Sequence, residues 1–286
     1  MKLIELVERS SERLQDAGVS FGHGTDNAFD EAAWLVLWSL GLPLDELDEQ
    51  GQRSVTADEL HRAHALVSER IRSRRPAAYL TGEAWLQGVP FYVDERVIIP
   101  RSLIAEPLVE GTMDSWLSEN THRVLDLCTG NGSLAILAAM AWPDVQVQAT
   151  DLSADALAVA QRNVQRHQLE HRITLIQGDG LAAAPGRYDL ILCNPPYVNS
   201  RSMQALPPEF KAEPALALDG GADGMQFIRG LMKGARSYLS PHGVLVLEVG
   251  HERAHFEAAF PRLPVVGLPT SAGDDHVLLI EARYLP

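Results

Sequence analysis

The chain has 286 residues, 46% of them hydrophobic and 22% charged, with a formal net charge of −14 and only two cysteines. That length holds one large domain beside a smaller one, the composition excludes a disordered chain, and two cysteines make no disulfide framework. No apolar run reaches the roughly 20 residues that span a bilayer. The amphipathic start Met1-Lys2-Leu3-Ile4-Glu5 lacks the apolar block of a signal peptide, so a cytoplasmic protein is expected. An acidic balance of this size argues against a broad grip on a phosphate backbone and suits a basic protein partner.

Up to about residue 76 the apolar spacing predicts helices: Leu3, Val7 and Leu14, then Ala28, Ala32, Leu35 and Val36, then Leu60, Ala63, Val67 and Ile71. Asp26 or Asn27 is placed to cap the second of these. Arg70, Arg72, Arg74 and Arg75 read as the solvated, dipole-complementing end of the third, closed by Pro76. Residues Ala84 to Val93 straddle Gly88 and suggest a hairpin. Val97 to Arg101 reads as an extended connector, with a helix expected from Ser102 to a point before Thr121.

The pattern then changes to alternating strands and helices. Strands are predicted over Arg123–Leu127, Val145–Thr150, Arg172–Gln177, Tyr188–Cys193, Val244–Val249 and Val277–Glu281, with helical runs from Gly132 to Ala141 and Ala154 to Arg166. This alternation points to a largely parallel sheet covered on both faces, whose ligands bind beyond the carboxyl ends of the strands. The stretch from Asn199 to Asp223 has no clear period, a length uncommon for a loop unless it acts as a lid or binding segment.

Three strand ends carry candidate ligand contacts. Asp126-Leu127-Cys128-Thr129-Gly130-Asn131-Gly132 is a strand breaking into a glycine-containing turn ahead of a helix, where backbone can approach an anionic group. Asp151 ends the next strand, placed to accept hydrogen bonds from ribose hydroxyls or to cap the helix that follows. Asp179, before Gly180, ends the third and is placed to accept from an adenine amino group, or to make an ordinary turn. A dinucleotide enzyme competes for these features, but the turn lacks the full pattern of three glycines that accommodates a pyrophosphate.

The fourth strand runs into Asn194-Pro195-Pro196-Tyr197. The prolines fix φ near −65° and remove two N–H donors, which leaves carbonyl oxygens available. The Asn194 side-chain oxygen and the Pro195 carbonyl can each accept one hydrogen of a planar NH₂ group. Tyr197 offers that group a flat face and can stabilise an approaching cationic methyl. Orientation of this kind removes roughly 7–11 kcal/mol of a barrier, and neither a histidine base nor a metal is required. The ten histidines are scattered and read as surface or core residues.

With the turn and the tetrad together, the chain resembles class I methyltransferases that use S-adenosylmethionine, and among them the protein N(5)-glutamine methyltransferases. The likeness runs over nearly the whole chain. Further matching segments are Ala78-Tyr79-Leu80-Thr81, Phe91 to Arg96, Ile99-Pro100-Arg101-Ser102, and Glu213-Pro214 with Gly220 to Gly224. Members that act on release factors usually lack the stretch Phe21-Gly22-His23-Gly24-Thr25-Asp26-Asn27-Ala28. That stretch is similar to the PrmB-type branch, which acts on large-subunit ribosomal protein three.

The resemblance implies an α/β fold, a Rossmann-like, mostly parallel seven-stranded sheet with a small N-terminal helical domain. It divides the chain into a helical substrate-recognition domain at 1–76, a hairpin linker at 77–101 and a catalytic domain at 102–286. Residues 126 to 132 (Asp126, Cys128, Thr129, Gly130, Asn131 and Gly132 among them), Asp151, Leu152, Asp179, Gly180 and Asn194 would bind S-adenosylmethionine and its product S-adenosylhomocysteine. Asn194, Pro195, Pro196, Tyr197 and Arg101 would hold a glutamine amide, with Asn194, Pro195 and Tyr197 catalytic. The implied partner is the ribosomal protein, free or in an assembling ribosome, with no membrane or direct DNA contact. The sequence departs from the usual turn at Cys128, where relatives carry glycine, and at Gly180, where some carry an aromatic. A release-factor methyltransferase and an adenine or cytosine amino methyltransferase remain the alternatives; a binding module without activity leaves the intact tetrad unexplained.

Overall fold

A computed structural model describes residues 1–286. Three long helices open the chain, α1 (Leu3–Asp16), α2 (Ala28–Leu40) and α3 (Ala57–Ser73), with a single helical turn, Leu47–Gln50, between the last two. The second and third have clear start signals. Asn27 caps α2 by accepting from the Asp30 amide, and Thr56 and Glu59 cap α3 reciprocally. The apolar stripes of all three meet in one core with Leu3, Leu6, Leu35, Ala63 and Val67 fully buried. That core continues into Val93, Val97 and Ile99 of the connector and into Ala156 and Val159 beyond it, so the N-terminal helices are seated on the sheet-bearing part of the chain.

The arginine-rich end of α3 is not a solvated one. Arg70 is fully buried, and α3 ends at Arg74, in the left-handed region at φ 59°, before Pro76 is reached. Buried partners account for this. Arg70 Nε donates to Glu31 across 2.8 Å and its Nη1 to Glu209 across 3.3 Å, a geometry that offsets the cost of taking three charges out of water. Arg72 keeps the expected position in solvent, 77% exposed.

Strands β1 (Glu83–Leu86) and β2 (Val89–Tyr92) form the expected antiparallel hairpin about Gln87 and Gly88, both at positive φ. The helix expected from Ser102 is reduced to one turn, Ala105–Val109, and a short 3₁₀ segment, Asp114–Trp116. The Ser102 hydroxyl is drawn instead into a hydrogen bond with Glu248, and Gly111 at φ 71° turns the chain away.

The large sheet comprises β3 (Arg123–Leu127), β4 (Gln146–Asp151), β5 (Ile173–Gln177), β6 (Tyr188–Cys193), β7 (Leu239–Glu248), β8 (Val266–Leu268) and β9 (Val277–Glu281). Their order is β5-β4-β3-β6-β7-β9-β8, and only β9 runs against its neighbours β7 and β8. The resemblance implies seven strands, and seven are present, although β8 has no signal of its own in the sequence. It is a three-residue edge strand interrupted by Gly267. Helices α4 (Ser133–Ala141) and α5 (Ala154–Arg166) cover one face, and α6 (Gln226–Tyr238) packs on the other. Strand order reverses between β3 and β6, which opens a crevice where their carboxyl ends diverge. No helix is long and apolar enough to cross a membrane.

Candidate active site

A cavity of roughly 490 Å³ lies at that crevice. On one side the turn after β3, from Cys128 to Asn131, forms its wall. Gly130 and Gly132 take left-handed φ values of 57° and 84°, and so does Cys128 at 59°. Cys128 therefore sits strained in a conformation that glycine adopts without cost. Gly132 faces away from the cavity, and an added Cβ would lie 3.3 Å from that of Ala160, so this glycine lets α4 approach α5.

Asp126, expected as a cofactor ligand, stands behind the wall with Gly132 and does not line the cavity. One of its oxygens accepts from the Thr129 hydroxyl at 2.5 Å and from the Ala135 amide at 3.1 Å. It holds the turn and the start of α4 together from within. Burial pushes its carboxyl up to about 7, against the pull of those two donors. Asn163, fully buried on α5, donates to the Asn131 carbonyl and also bonds both backbone groups of Tyr92, joining the turn to the hairpin.

Asp151 lies at the end of β4, where one oxygen accepts from the Gly130 amide at 2.9 Å and the other from the Ser153 amide at 2.9 Å. It serves the turn and also lines the cavity. Burial raises its pKa, and the backbone donors oppose that rise. Leu152, 52% exposed, and Asp179, whose carboxylate has no partner within the chain, continue this wall. The Phe227 ring lies beside Gly180, 3.5 Å from where a Cβ would stand. An aromatic ring is thus supplied to this wall from α6. A wall with two carboxylates, a bare backbone turn and the buried, unpartnered Asn131 side-chain nitrogen fits a nucleoside joined to an amino-acid end.

On the facing side Asn194, Pro195, Pro196 and Tyr197 follow β6 directly into the cavity. All peptide bonds here are trans. The Asn194 side chain makes no hydrogen bond within the protein, and the Pro195 carbonyl accepts none. Both are available to a ligand. Tyr197 is confined. Its hydroxyl donates to Glu248 at 2.9 Å, and Gly250 passes so close that a Cβ would lie 2.5 Å from the ring. Glu248, at the end of β7, also accepts from the Ser102 hydroxyl at 2.6 Å and the Leu103 amide at 3.0 Å. Burial raises the pKa of both Tyr197 and Glu248. Nothing in the sequence marks Glu248, which reads there as the polar close of an apolar strand.

The long segment after the tetrad is ordered. Short helices Ser200–Ala205 and Pro208–Lys211 and a 3₁₀ turn Ala215–Ala217 form a strap, and Phe210, Pro214 and Leu218 close the cavity from above. Arg101, expected at the substrate, lines the cavity, but its guanidinium is committed to the strap. It grips Glu213 through bonds of 2.6 and 2.7 Å. Although burial alone would raise the Glu213 carboxyl, Arg101 and His23 hold it down to about 2. His251, on the rim, meets the Tyr197 ring edge-on at 6.2 Å.

Residues 112–259 match the family described as the methyltransferase small domain, and residues 5–82 match the PrmC N-terminal domain. A ribosomal protein uL3 glutamine methyltransferase of Bordetella pertussis is 53% identical over 286 residues, covering 99% of this chain and 96% of the relative. The chain belongs to the ribosomal protein uL3 glutamine methyltransferases. A relative of the same description from Burkholderia pseudomallei is 51% identical with 99% and 95% coverage, and one from Neisseria meningitidis serogroup B is 47% identical with 98% and 93%. Membership of this family makes the chain a glutamine methyltransferase and agrees with the branch implied by Phe21 to Ala28. Among solved structures, a methyltransferase from Pyrococcus furiosus covers 78% of this chain and 98% of its own at a TM-score of 0.50 and 16% identity. The hMettl16 catalytic domain in complex with the MAT2A 3'UTR hairpin 6 covers 80% and 83% at a TM-score of 0.51 and 14% identity. Both likenesses concern the fold.

Proposed function

We propose that this chain transfers the methyl group of S-adenosylmethionine to the side-chain amide nitrogen of a glutamine in ribosomal protein uL3. The observation that carries this reading is the pair of free acceptors at the end of β6, the Asn194 side-chain oxygen and the Pro195 carbonyl, facing a cavity whose opposite wall suits a nucleoside. When bound, the cofactor supplies an electrophilic sulfonium methyl.

The residues around it bind and aim. Asp151 would accept from ribose hydroxyls, Asp179 from the adenine amino group, and the turn from Cys128 to Asn131 would hold the amino-acid end. Leu152 and Phe227, which line the cavity, would give the base apolar contact. Asp126 and Gly132 act one layer behind by holding the turn. Asn194 and Pro195 each accept one amide hydrogen, which directs the nitrogen lone pair toward the methyl. With the cofactor held there, the amide nitrogen would take the methyl as sulfur keeps the electron pair of the broken C–S bond, and the N–H proton would be lost to solvent. Charge is moved, not created, so a strap that excludes water assists the step. Tyr197, neutral and held by Glu248, keeps the amide flat against its ring. Residues 1–76 would recognise the protein substrate in the cytoplasm, where ribosomes are assembled, and the acidic chain suits a basic target.

The acceptor is identified by incubating the protein with methyl-labelled S-adenosylmethionine and, separately, purified uL3, a release factor and duplex DNA, with mass mapping of the product. Label on a glutamine of uL3 is the expected result; label on release factor or DNA alone overturns the substrate.

A further inference from the structure

The strap is anchored to the N-terminal helices by two buried glutamates. Glu209 Oε1 accepts from the Ser20 amide at 3.1 Å and from Arg70 at 3.3 Å, and it meets Arg74 Nε at 2.7 Å. Arg70 is itself fixed by Glu31 and by the Ser20 carbonyl. Glu213, four residues on, accepts from the Ile99 amide at 3.0 Å and from Arg101, and His23 Nε2 stands 3.6 Å away. Between these two sits Phe210, whose ring packs on His23 with centroids 4.1 Å apart and lies under the Arg101 guanidinium.

The stretch Phe21 to Asn27 is built to receive that segment. A Cβ on Gly22 would lie 3.3 Å from the Phe210 ring, and Gly22 is held at φ 109°. Gly24, at φ 106°, makes similar room for Trp34 of α2. The Gly22 amide donates to the Thr25 carbonyl at 2.7 Å, closing a tight loop that presents His23 inward, 1% exposed. Within this stretch, whose sequence resembles one branch of the family, Gly22 and His23 face the strap, while Gly24, Asp26 and Asn27 are exposed.

We propose that Glu209 and Glu213 are positioning residues through which the Phe21–Asn27 loop and α3 set the substrate-side wall of the cavity, so that this loop selects the acceptor by placing Phe210 and Pro214. The inference rests on reading the cavity as the site of methyl transfer. The cofactor wall, built from the turn after β3 with Asp151 and Asp179, lies outside this linkage. Loss of the linkage therefore separates acceptor recognition from cofactor binding.

The test compares wild type, Glu213→Gln and Arg74→Gln, measuring KM and kcat for purified uL3, S-adenosylmethionine affinity by calorimetry, and the thermal midpoint. Glu213→Gln is expected to raise KM for uL3 at least tenfold with cofactor affinity within twofold of wild type. Arg74→Gln, at the 27% exposed edge of the same anchor, spares the fold more and raises KM several-fold. The variant Glu213→Asp restores the charge and recovers part of the loss. An unchanged KM in both variants overturns the proposal. So does a joint loss of acceptor KM, cofactor affinity and thermal midpoint, which marks general destabilisation. Absence of uL3 methylation by wild type overturns the functional reading itself, and the linkage to acceptor choice falls with it.

Discussion

The Tyr197 hydroxyl donates to the Glu248 carboxylate across 2.9 Å, and that bond ties the acceptor side of the cavity to the end of β7. Through its other oxygen Glu248 also holds Ser102 and the Leu103 amide, so one buried carboxylate ties two separate segments to the end of β7. Glu248→Ala leaves all three donors unpaired. It is expected to destabilise the fold by more than about 2 kcal/mol in denaturant melts and to lower kcat at least tenfold. Glu248→Gln keeps an acceptor for Ser102 and Leu103 and is expected to fall between Glu248→Ala and wild type.

Gly250 makes the Tyr197 ring position possible. With φ at 52° and only 2.5 Å between an added Cβ and the ring, Gly250→Ala forces the ring to shift. Methyl transfer is expected to drop tenfold or more, because small misplacements at a reacting centre are costly. Calorimetry is expected to find cofactor affinity within a few-fold of wild type; a comparable loss of both would place the damage elsewhere.

Much of this site is legible in the sequence because its signals are local. Strand β6 is a continuous apolar run, and the tetrad that follows combines two prolines with an amide and an aromatic in adjacent positions. The turn after β3 and the acids ending β4 and β5 are likewise read from neighbouring residues. What escapes depends on partners far along the chain. Arg70 reads as part of a solvated helix end, and nothing local shows what Glu248, Glu213 or Glu209 bind, until the fold supplies a counter-charge or donors to each. Helical spacing places Arg70 on α3 correctly but cannot show that Glu31 and Glu209 bury it. Edge strand β8 is invisible for a different reason, being too short to carry a period.

Cys128 occupies a left-handed position at φ 59°. A β-branched side chain tolerates that region least, so Cys128→Val is expected to destabilise by about 1–2 kcal/mol. Cys128→Gly relieves the strain but gains freedom when unfolded, and it should lie within about 1 kcal/mol of wild type. Chemical denaturation of both variants checks the ordering, which reverses if the thiol is held by contacts that outweigh the backbone.

Asp126 gives a pH signature. Its folded carboxyl is lifted by burial to about 7, whereas an unfolded aspartate titrates at about 3.9. Between those values the folded chain holds a proton that the unfolded chain has released, so this group makes stability fall as pH rises. The stability of wild type minus that of Asp126→Asn is therefore expected to decline from about pH 4 to about pH 7 and to level off on either side. Urea titrations across that range without cofactor measure it, and a flat or rising difference contradicts the assignment.

Asn194 carries the proposed chemistry more directly than any other residue. The decisive measurement is single-turnover methyl transfer to uL3 by wild type and Asn194→Ala, with S-adenosylmethionine affinity determined on the same preparations. Transfer is expected to be nearly abolished while affinity stays within a few-fold, because the side chain's free oxygen orients the amide. Turnover at the wild-type rate would contradict that role.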